Sequence, residues 1–372
     1  MQELDLQEIR RQIDEVDRKL AEALASRLDL VMQVAAYKKS KNMPVKDKVR
    51  EALVIEKVTS MVEVPEYKPA VAKIMRSIID AACDLEEDIL AHSRQELLKI
   101  GCFGSEGSFT HQALEEYFIG RNYERRHFNR FEEVISSVSS GELDYGILPI
   151  ENSSTGGITE VYDLLRKYDC SIVGERCLRI EQNLLGCGGA TMESIKKVYS
   201  HPQGFAQSKE FFKAQPQLEQ AAYFSTSESA AYVAKAKDPA LAAIAGKKAA
   251  QLYQLEIIAP NINYDSNNCT RFVIIAKNAE KNTRADKITL ILALKHEPGS
   301  LYKMLGCFYH HGLNLINLES RPMDGKPWEY YFYIDITGNL KDNAVKDALE
   351  DVQKNSVYCK ILGNYPADKR KD

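Results

Sequence analysis

From Met1 to Met43 the chain contains neither glycine nor proline. Across that stretch Ile9, Ile13, Val16, Leu20, Leu24, Val31 and Val34 recur at steps of three, four and seven residues, the spacing of one face of an α-helix. At 1.5 Å per residue, roughly 35 such residues make a rod of about 50 Å. One small domain cannot cover a stripe that long, so the pattern predicts a helical partner, such as another copy of the chain. After Pro44 a second helix is predicted from about Asp47 to Val62. A third runs from about Pro69 to Leu98, with Val71, Ile74, Ile78, Cys83, Leu85, Ile89 and Leu90 as its apolar set. The expected first module is all-helical, residues 1–97.

Charges on these helices follow the same geometry. Arg27 and Lys38 are close to three whole turns apart and share a face. Arg10 is turned about 100° from Arg27, so one copy of the helix does not aim all three at one ligand. Asp47, Arg50 and Glu51 share a face of the second helix. By pattern alone such charges read as a solvated, salt-bridged surface.

Beyond residue 98 the pattern changes to short apolar runs alternating with helical segments, which argues for α/β layers. Lys99-Ile100-Gly101-Cys102-Phe103-Gly104 reads as a strand entering a glycine-containing loop, with Ser108 or Thr110 capping the next helix. Tyr145 to Ile150 reads as a strand whose end delivers Glu151-Asn152-Ser153. Ser154-Thr155-Gly156-Gly157 follows as a turn suited to an anion. Strand-like Ile195–Tyr199 leads into Ser200-His201-Pro202-Gln203. The polar loop Asn261–Asn267 closes on Asn268-Cys269-Thr270-Arg271-Phe272, which opens the buried strand Phe272–Ala276. Residues 277–287 read as a polar linker. From 286 the order βαββαβ predicts a ferredoxin-like sandwich of about 80 residues.

Three stretches in this order carry a resemblance: Ile147–Ser153, Ser200–Gln203 and Asn268–Phe272. Together they look like the prephenate dehydratase family, which implies a two-lobed cleft like that of a periplasmic binding protein over residues 98–280. By that resemblance Thr270 is the hydroxyl near the leaving group. Arg271 anchors a carboxylate, and Glu151, Asn152, Ser153, Ser200, His201, Gln203, Asn268 and Phe272 belong to the substrate site. Packing is the alternative role for Phe272, and a helix N-terminus the alternative for His201.

The helical part, from Ile9-Arg10-Arg11-Gln12-Ile13 to Asp47-Lys48-Val49-Arg50-Glu51, resembles the all-helical chorismate mutases. The resemblance implies that Arg27, Lys38 and Arg50 bind carboxylates and the ether oxygen. Asp47 and Glu51 would hold the hydroxyl side, and Arg10 would reach into a second subunit. A Claisen rearrangement needs no nucleophile or metal, only a compact conformer and fixed positive charge beside the breaking C–O bond. Ala82 and Glu86 stand where that family often has Ser and Gln. An ionised Glu86 cannot donate to an ether oxygen, so mutase activity is expected to fall as pH rises. A pH–rate profile unchanged in Glu86→Gln would refute that role.

Pro298-Gly299-Ser300-Leu301, Asn314 and Glu319-Ser320-Arg321-Pro322 look like the effector motifs of an ACT domain, residues 286–372, which implies phenylalanine as ligand. The combined expectation is a bifunctional enzyme carrying chorismate through prephenate to phenylpyruvate, inhibited by phenylalanine. It needs no cofactor or metal and works as a homodimer, with a tetramer left open. A weak mutase, a preference for arogenate, and a non-enzymatic sensor are the competing readings. A net charge of −4 gives no footprint for nucleic acid. No apolar run reaches the roughly 20 residues of a membrane span. Eight scattered cysteines without C-x-x-C spacing, and a charged N-terminus, lead to an expectation of the cytoplasm.

Overall fold

In the computed structural model the described residues are 6–40, 48–92, 97–265, 267–280, 282–323 and 325–368. They form two units, Met1–Glu96 and Leu97–Asp372.

The first unit is helical. Leu6–Ser40 is one helix of 35 residues, followed by Lys48–Ser60 and Lys68–His92. The third helix packs on the other two, and Ala35, Ile79, Ala82 and Cys83 are buried. Much of the stripe that defines the first helix is not. Ile13, Val16, Leu20 and Val34 are 52%, 62%, 50% and 44% exposed in the single chain. The periodicity therefore marks a helix whose apolar face finds little cover within its own unit.

The second unit holds three sheets. In the first lobe the strand order is Tyr123–Phe128, Leu98–Phe103, Tyr145–Asn152, Cys269–Ala276, Ser171–Arg179. The first three are parallel; Cys269–Ala276 runs antiparallel to both neighbours, because the chain returns through it from the second lobe. The second lobe orders Glu256–Ala259, Asn183–Gly186, Leu241–Ala245, Lys197–Ser200, Glu219–Ala222. Three of these strands, Tyr123–Phe128, Glu219–Ala222 and Glu256–Ala259, were not legible as strands. All three are sheet edges, where charged residues replace the apolar run of a central strand.

The third sheet orders Leu315–Met323, Lys326–Thr337, Lys287–Ala293, Tyr358–Tyr365, all antiparallel, with helices Ser300–His310 and Asn343–Asn355. This is the expected ferredoxin-like order. It is pressed onto the back of the first lobe. Ile172, Val273 and Ile275 of the lobe share one core with Ile291, Tyr333, Leu362 and Tyr365. A Cβ added at Gly363 would lie 2.1 Å from the Ile172 carbonyl oxygen, so only glycine permits that approach. The expected linker is correspondingly anchored. Tyr145 donates to Glu280 Oε1 at 2.6 Å, and Lys287 is buried.

Candidate active site

Between the lobes of the second unit lies a cavity of about 790 Å³. Its walls come from loops and helix starts, where side chains and free N–H groups point away from the sheets. Thr270 and Phe272 enter from the central strand, Asn152 and Thr155 from the end of the neighbouring strand and its turn. Ser105, Ser108, Phe109 and Thr110 come from the loop and helix after the first strand. The second lobe supplies Gln182, His201, Gln203, Gln207, Phe224, Ser225, Thr226, Ser227 and Glu228. Ser108 and Ser225 cap their helices, accepting from the N–H groups of His111 and Glu228 at 3.2 and 3.1 Å. Ser105 Oγ and Ser227 Oγ meet across the lobes at 2.6 Å. Among the described residues the wall carries no Lys or Arg; its titratable side chains are His201 and Glu228.

Thr270 is held in one orientation. Asn152 Oδ1 accepts the N–H groups of Ser154 (3.0 Å) and Thr155 (3.2 Å), which fixes the amide. Its Nδ2 then donates to Thr270 Oγ1 at 2.9 Å and to Asn268 Oδ1 at 2.7 Å. Because Thr270 Oγ1 accepts there, its own proton is left to point elsewhere, and the cavity is the open direction. Asn268 and Ser153 support this arrangement from outside the wall: Cys269 N–H donates to Ser153 Oγ at 2.9 Å.

Several residues expected in the substrate site are elsewhere. Arg271 does not line the cavity. Successive side chains of a strand point to opposite faces, so with Thr270 and Phe272 in the cleft Arg271 must face the back. There it is 9% exposed and paired with Glu151 (3.0 Å), Glu175 (3.3 Å) and Asp335 (2.8 Å). Glu151 is turned the same way. Ser200 is fully buried beneath the wall, its hydroxyl directed at the Ile244 carbonyl at 3.4 Å. His201 does both things foreseen: it lines the cavity, and its Nδ1 accepts the Gln203 N–H at 3.2 Å as an N-cap. Gln182, Gln207 and the Ser225–Glu228 helix start were missed as site residues. A Ser225-Thr226-Ser227 run ahead of an alanine-rich stretch is a helix-start signal, but nothing local tells which way such a start faces.

A buried imidazole supports the loop beside the cavity. Gly107 N–H donates to His111 Nδ1 at 3.0 Å, and His127 Nδ1 lies 2.7 Å from the Gly104 carbonyl oxygen. Gly107 has φ +77° and passes so near the second lobe that an added Cβ would sit 3.1 Å from Ala249 Cα. Burial, helped by the nearby Arg125 charge, lowers the His111 pKa from 6.5 to about 4. A group whose folded pKa is depressed stabilises the fold above its unfolded value. That contribution is lost as pH falls from 6.5 toward 4. From this group alone the protein is expected to be about 1–2 kcal/mol less stable at pH 5 than at pH 7. Urea midpoints at the two pH values check it: His111→Asn, which keeps an acceptor for Gly107, should show a smaller difference than wild type.

In the helical unit, Glu51 lines a groove of about 470 Å³ with Ile55, Glu56, Arg76, Ile79 and Asp80. Arg10, Arg27, Lys38, Arg50 and Ala82 do not line it; Arg10 and Arg50 are exposed and Ala82 is buried. Asp47 lies outside the described residues, as does the Glu86 side chain. In the C-terminal module, Gly299 (φ +81°) precedes the helix Ser300–His310. Along the strand Leu315–Met323, Glu319 and Arg321 face the first lobe, where Arg321 Nη2 meets Asp163 at 2.9 Å, while Ser320 and Pro322 are exposed. Pro298 precedes Gly299, Leu301 is the second residue of the helix, and Asn314 immediately precedes the strand.

Two family models match the chain: chorismate mutase type II over residues 9–87 and prephenate dehydratase over residues 100–280. A bifunctional chorismate mutase/prephenate dehydratase of Enterobacter agglomerans is 33% identical over 375 residues, covering 97% of this chain and 95% of the relative. The solved structure of GqqA, described as a quorum quenching acylase, is 28% identical with a TM-score of 0.66, covering 73% of this chain and 98% of its own. A prephenate dehydratase from Arthrobacter aurescens, solved in complex with L-Phe, is 28% identical with a TM-score of 0.65, covering 72% and 90%. Among the described residues no helix is long and apolar enough to cross a membrane.

Proposed function

The chain belongs to the family of bifunctional chorismate mutase/prephenate dehydratases, and we propose that the Thr270 cleft is where its dehydration step occurs. The enzyme rearranges chorismate to prephenate and converts prephenate to phenylpyruvate. In the second step the ring carboxylate leaves as carbon dioxide. Its bonding pair enters the ring, aromatisation expels the ring hydroxyl, and a proton from solvent completes water. The observation that carries the assignment is the hydrogen bond from Asn152 Nδ2 to Thr270 Oγ1, which leaves the threonine proton as a donor aimed into the cavity. A hydroxyl so fixed stabilises the departing oxygen as charge develops on it.

The two carboxylates are received without arginine. The free N–H groups at the helix starts after Ser108 and Ser225, with their hydroxyls, supply the donors. Arg271 acts from behind the wall. The mutase site is completed by a second copy, with Arg27, Lys38, Arg50 and Glu51 from one chain and Arg10 from the other. The exposed stripe on the first helix supports this homodimer. The C-terminal module is an ACT regulator that binds L-phenylalanine and inhibits dehydration, its effector site formed around Gly299, Ser300 and the exposed side of the strand Leu315–Met323.

The test is phenylpyruvate formation from prephenate and, separately, from chorismate, each with and without L-phenylalanine. Product from both, suppressed by phenylalanine, is expected. Product from prephenate alone would reduce the helical unit to a dimerisation element. Suppression absent would remove the regulator.

A further inference from the structure

Behind the cleft five charged side chains meet, four of them with little access to water and Glu151 at the open edge. Arg271, Glu151 and Glu175 come from the first lobe; Lys287 and Asp335 come from the C-terminal module. Lys287 Nζ lies 2.8 Å from Glu175 Oε2, and Arg271 Nη1 lies 2.8 Å from Asp335 Oδ2. Asp335 Oδ1 accepts the Thr289 hydroxyl at 2.6 Å, and Thr289 Oγ1 in turn lies 2.7 Å from the Tyr365 hydroxyl. The side chains of Arg271, Glu175, Lys287 and Asp335 are 9%, 2%, 6% and 3% exposed. Such a cluster is poorly screened by salt and has few alternative arrangements, because parting any pair strands a charge away from water.

Its place in the sheets gives it a second role. Asp335 sits opposite Asn317, and Tyr333 opposite Glu319, on the strand that carries the proposed effector motif. Arg271 is flanked on its own strand by Thr270 and Phe272, both on the cavity wall. A path of one backbone ladder, one buried ion pair and one residue step along the strand Cys269–Ala276 therefore joins the effector strand to the Thr270 hydroxyl. We infer that Asp335 is a positioning residue, through which the state of the C-terminal module sets the placement of Thr270 by way of Arg271. The inference rests on the reading of that module as a phenylalanine-binding regulator.

Asp335→Asn in the full chain tests it. The amide keeps an oxygen for Thr289 and removes the charge facing Arg271, which retains Glu175 and Glu151 as partners; a thermal melt confirms that the variant assayed is folded. Without phenylalanine, kcat and KM for prephenate should stay within about threefold of wild type. Calorimetric L-phenylalanine affinity should also stay within about threefold. The activity left at saturating phenylalanine should rise by about tenfold, within the usual range of couplings between sites. Thr289→Val, which frees Asp335 without changing charge, should give a smaller rise. Activity at saturating phenylalanine as low as in wild type in both variants overturns the coupling and leaves the regulatory reading intact. Loss of phenylalanine binding together with inhibition also overturns it, since Asp335 would then belong to the effector site. A wild-type protein that binds no phenylalanine overturns the regulatory reading and the coupling with it.

Discussion

Replacing Thr270 by valine is expected to lower kcat for prephenate dehydration by about 10²–10³, the usual cost of removing one oriented donor from a site of developing charge. Chorismate rearrangement, which uses the other unit, should be unchanged. Valine matches threonine in shape but cannot donate, so packing beside Phe272 is kept while the hydroxyl is lost. Asn152 Nδ2 loses one of its acceptors but retains Asn268 Oδ1 and the Cys269 carbonyl oxygen, which limits the cost to the fold. Thr270→Ser keeps the oxygen and should stay within about tenfold of wild type. The two variants, assayed on prephenate under saturating substrate, separate a donor from a packing residue. A fully active valine variant would remove Thr270 from the mechanism.

Replacing Arg271 by methionine is expected to cost about 3–5 kcal/mol of stability, the range found when one member of a buried ion pair is removed. Two cations, Arg271 and Lys287, now face three carboxylates, Glu151, Glu175 and Asp335. Glu151 is partly open to water, so among the four buried groups the removal of Arg271 leaves Lys287 alone against Glu175 and Asp335, a buried net charge of −1. Urea unfolding of the variant should show a correspondingly lower midpoint. The result also decides between two roles for this residue. A carboxylate anchor in the cleft would raise KM and leave stability nearly unchanged. A charge buried behind the wall costs stability when removed, and its loss lowers kcat of the folded enzyme through the placement of Thr270 while leaving KM nearly unchanged.

The sequence made the elements legible where periodicity is strong and the burial two-sided. The 35-residue helix, the strand Phe272–Ala276 and the βαββαβ order after residue 286 all announce themselves. Edge strands such as Tyr123–Phe128 do not, because one side of their backbone pairs with nothing and their side chains are charged. The site was readable as three motifs, yet the face each residue takes was not. Thr270 and Arg271 are neighbours in sequence and lie on opposite sides of a sheet. That inversion follows from strand geometry once the strand is known to extend back to Cys269, three residues further than the apolar run alone indicates. Gln182 reaches the cavity from the crossing between lobes at Arg179–Asn183, a segment with no local signature, and Gln207 from the last position of the helix Pro202–Gln207, where its Oε1 accepts from Gln182 Nε2 at 3.1 Å.

Composition also hides how the C-terminal module is joined to the first lobe. Residues 277–287 are polar, as linkers are, but Lys287 is polar because it completes a buried ion cluster. Composition does not distinguish a charge in water from a charge with a buried partner.

The most direct measurement is the stoichiometry of turnover by the full chain given prephenate, with phenylpyruvate and carbon dioxide quantified together. One carbon dioxide released per phenylpyruvate formed, at a rate lowered by the valine substitution at Thr270, is the result this account predicts. Prephenate bound but returned unchanged, or product formed equally fast by the Thr270→Val variant, would contradict it.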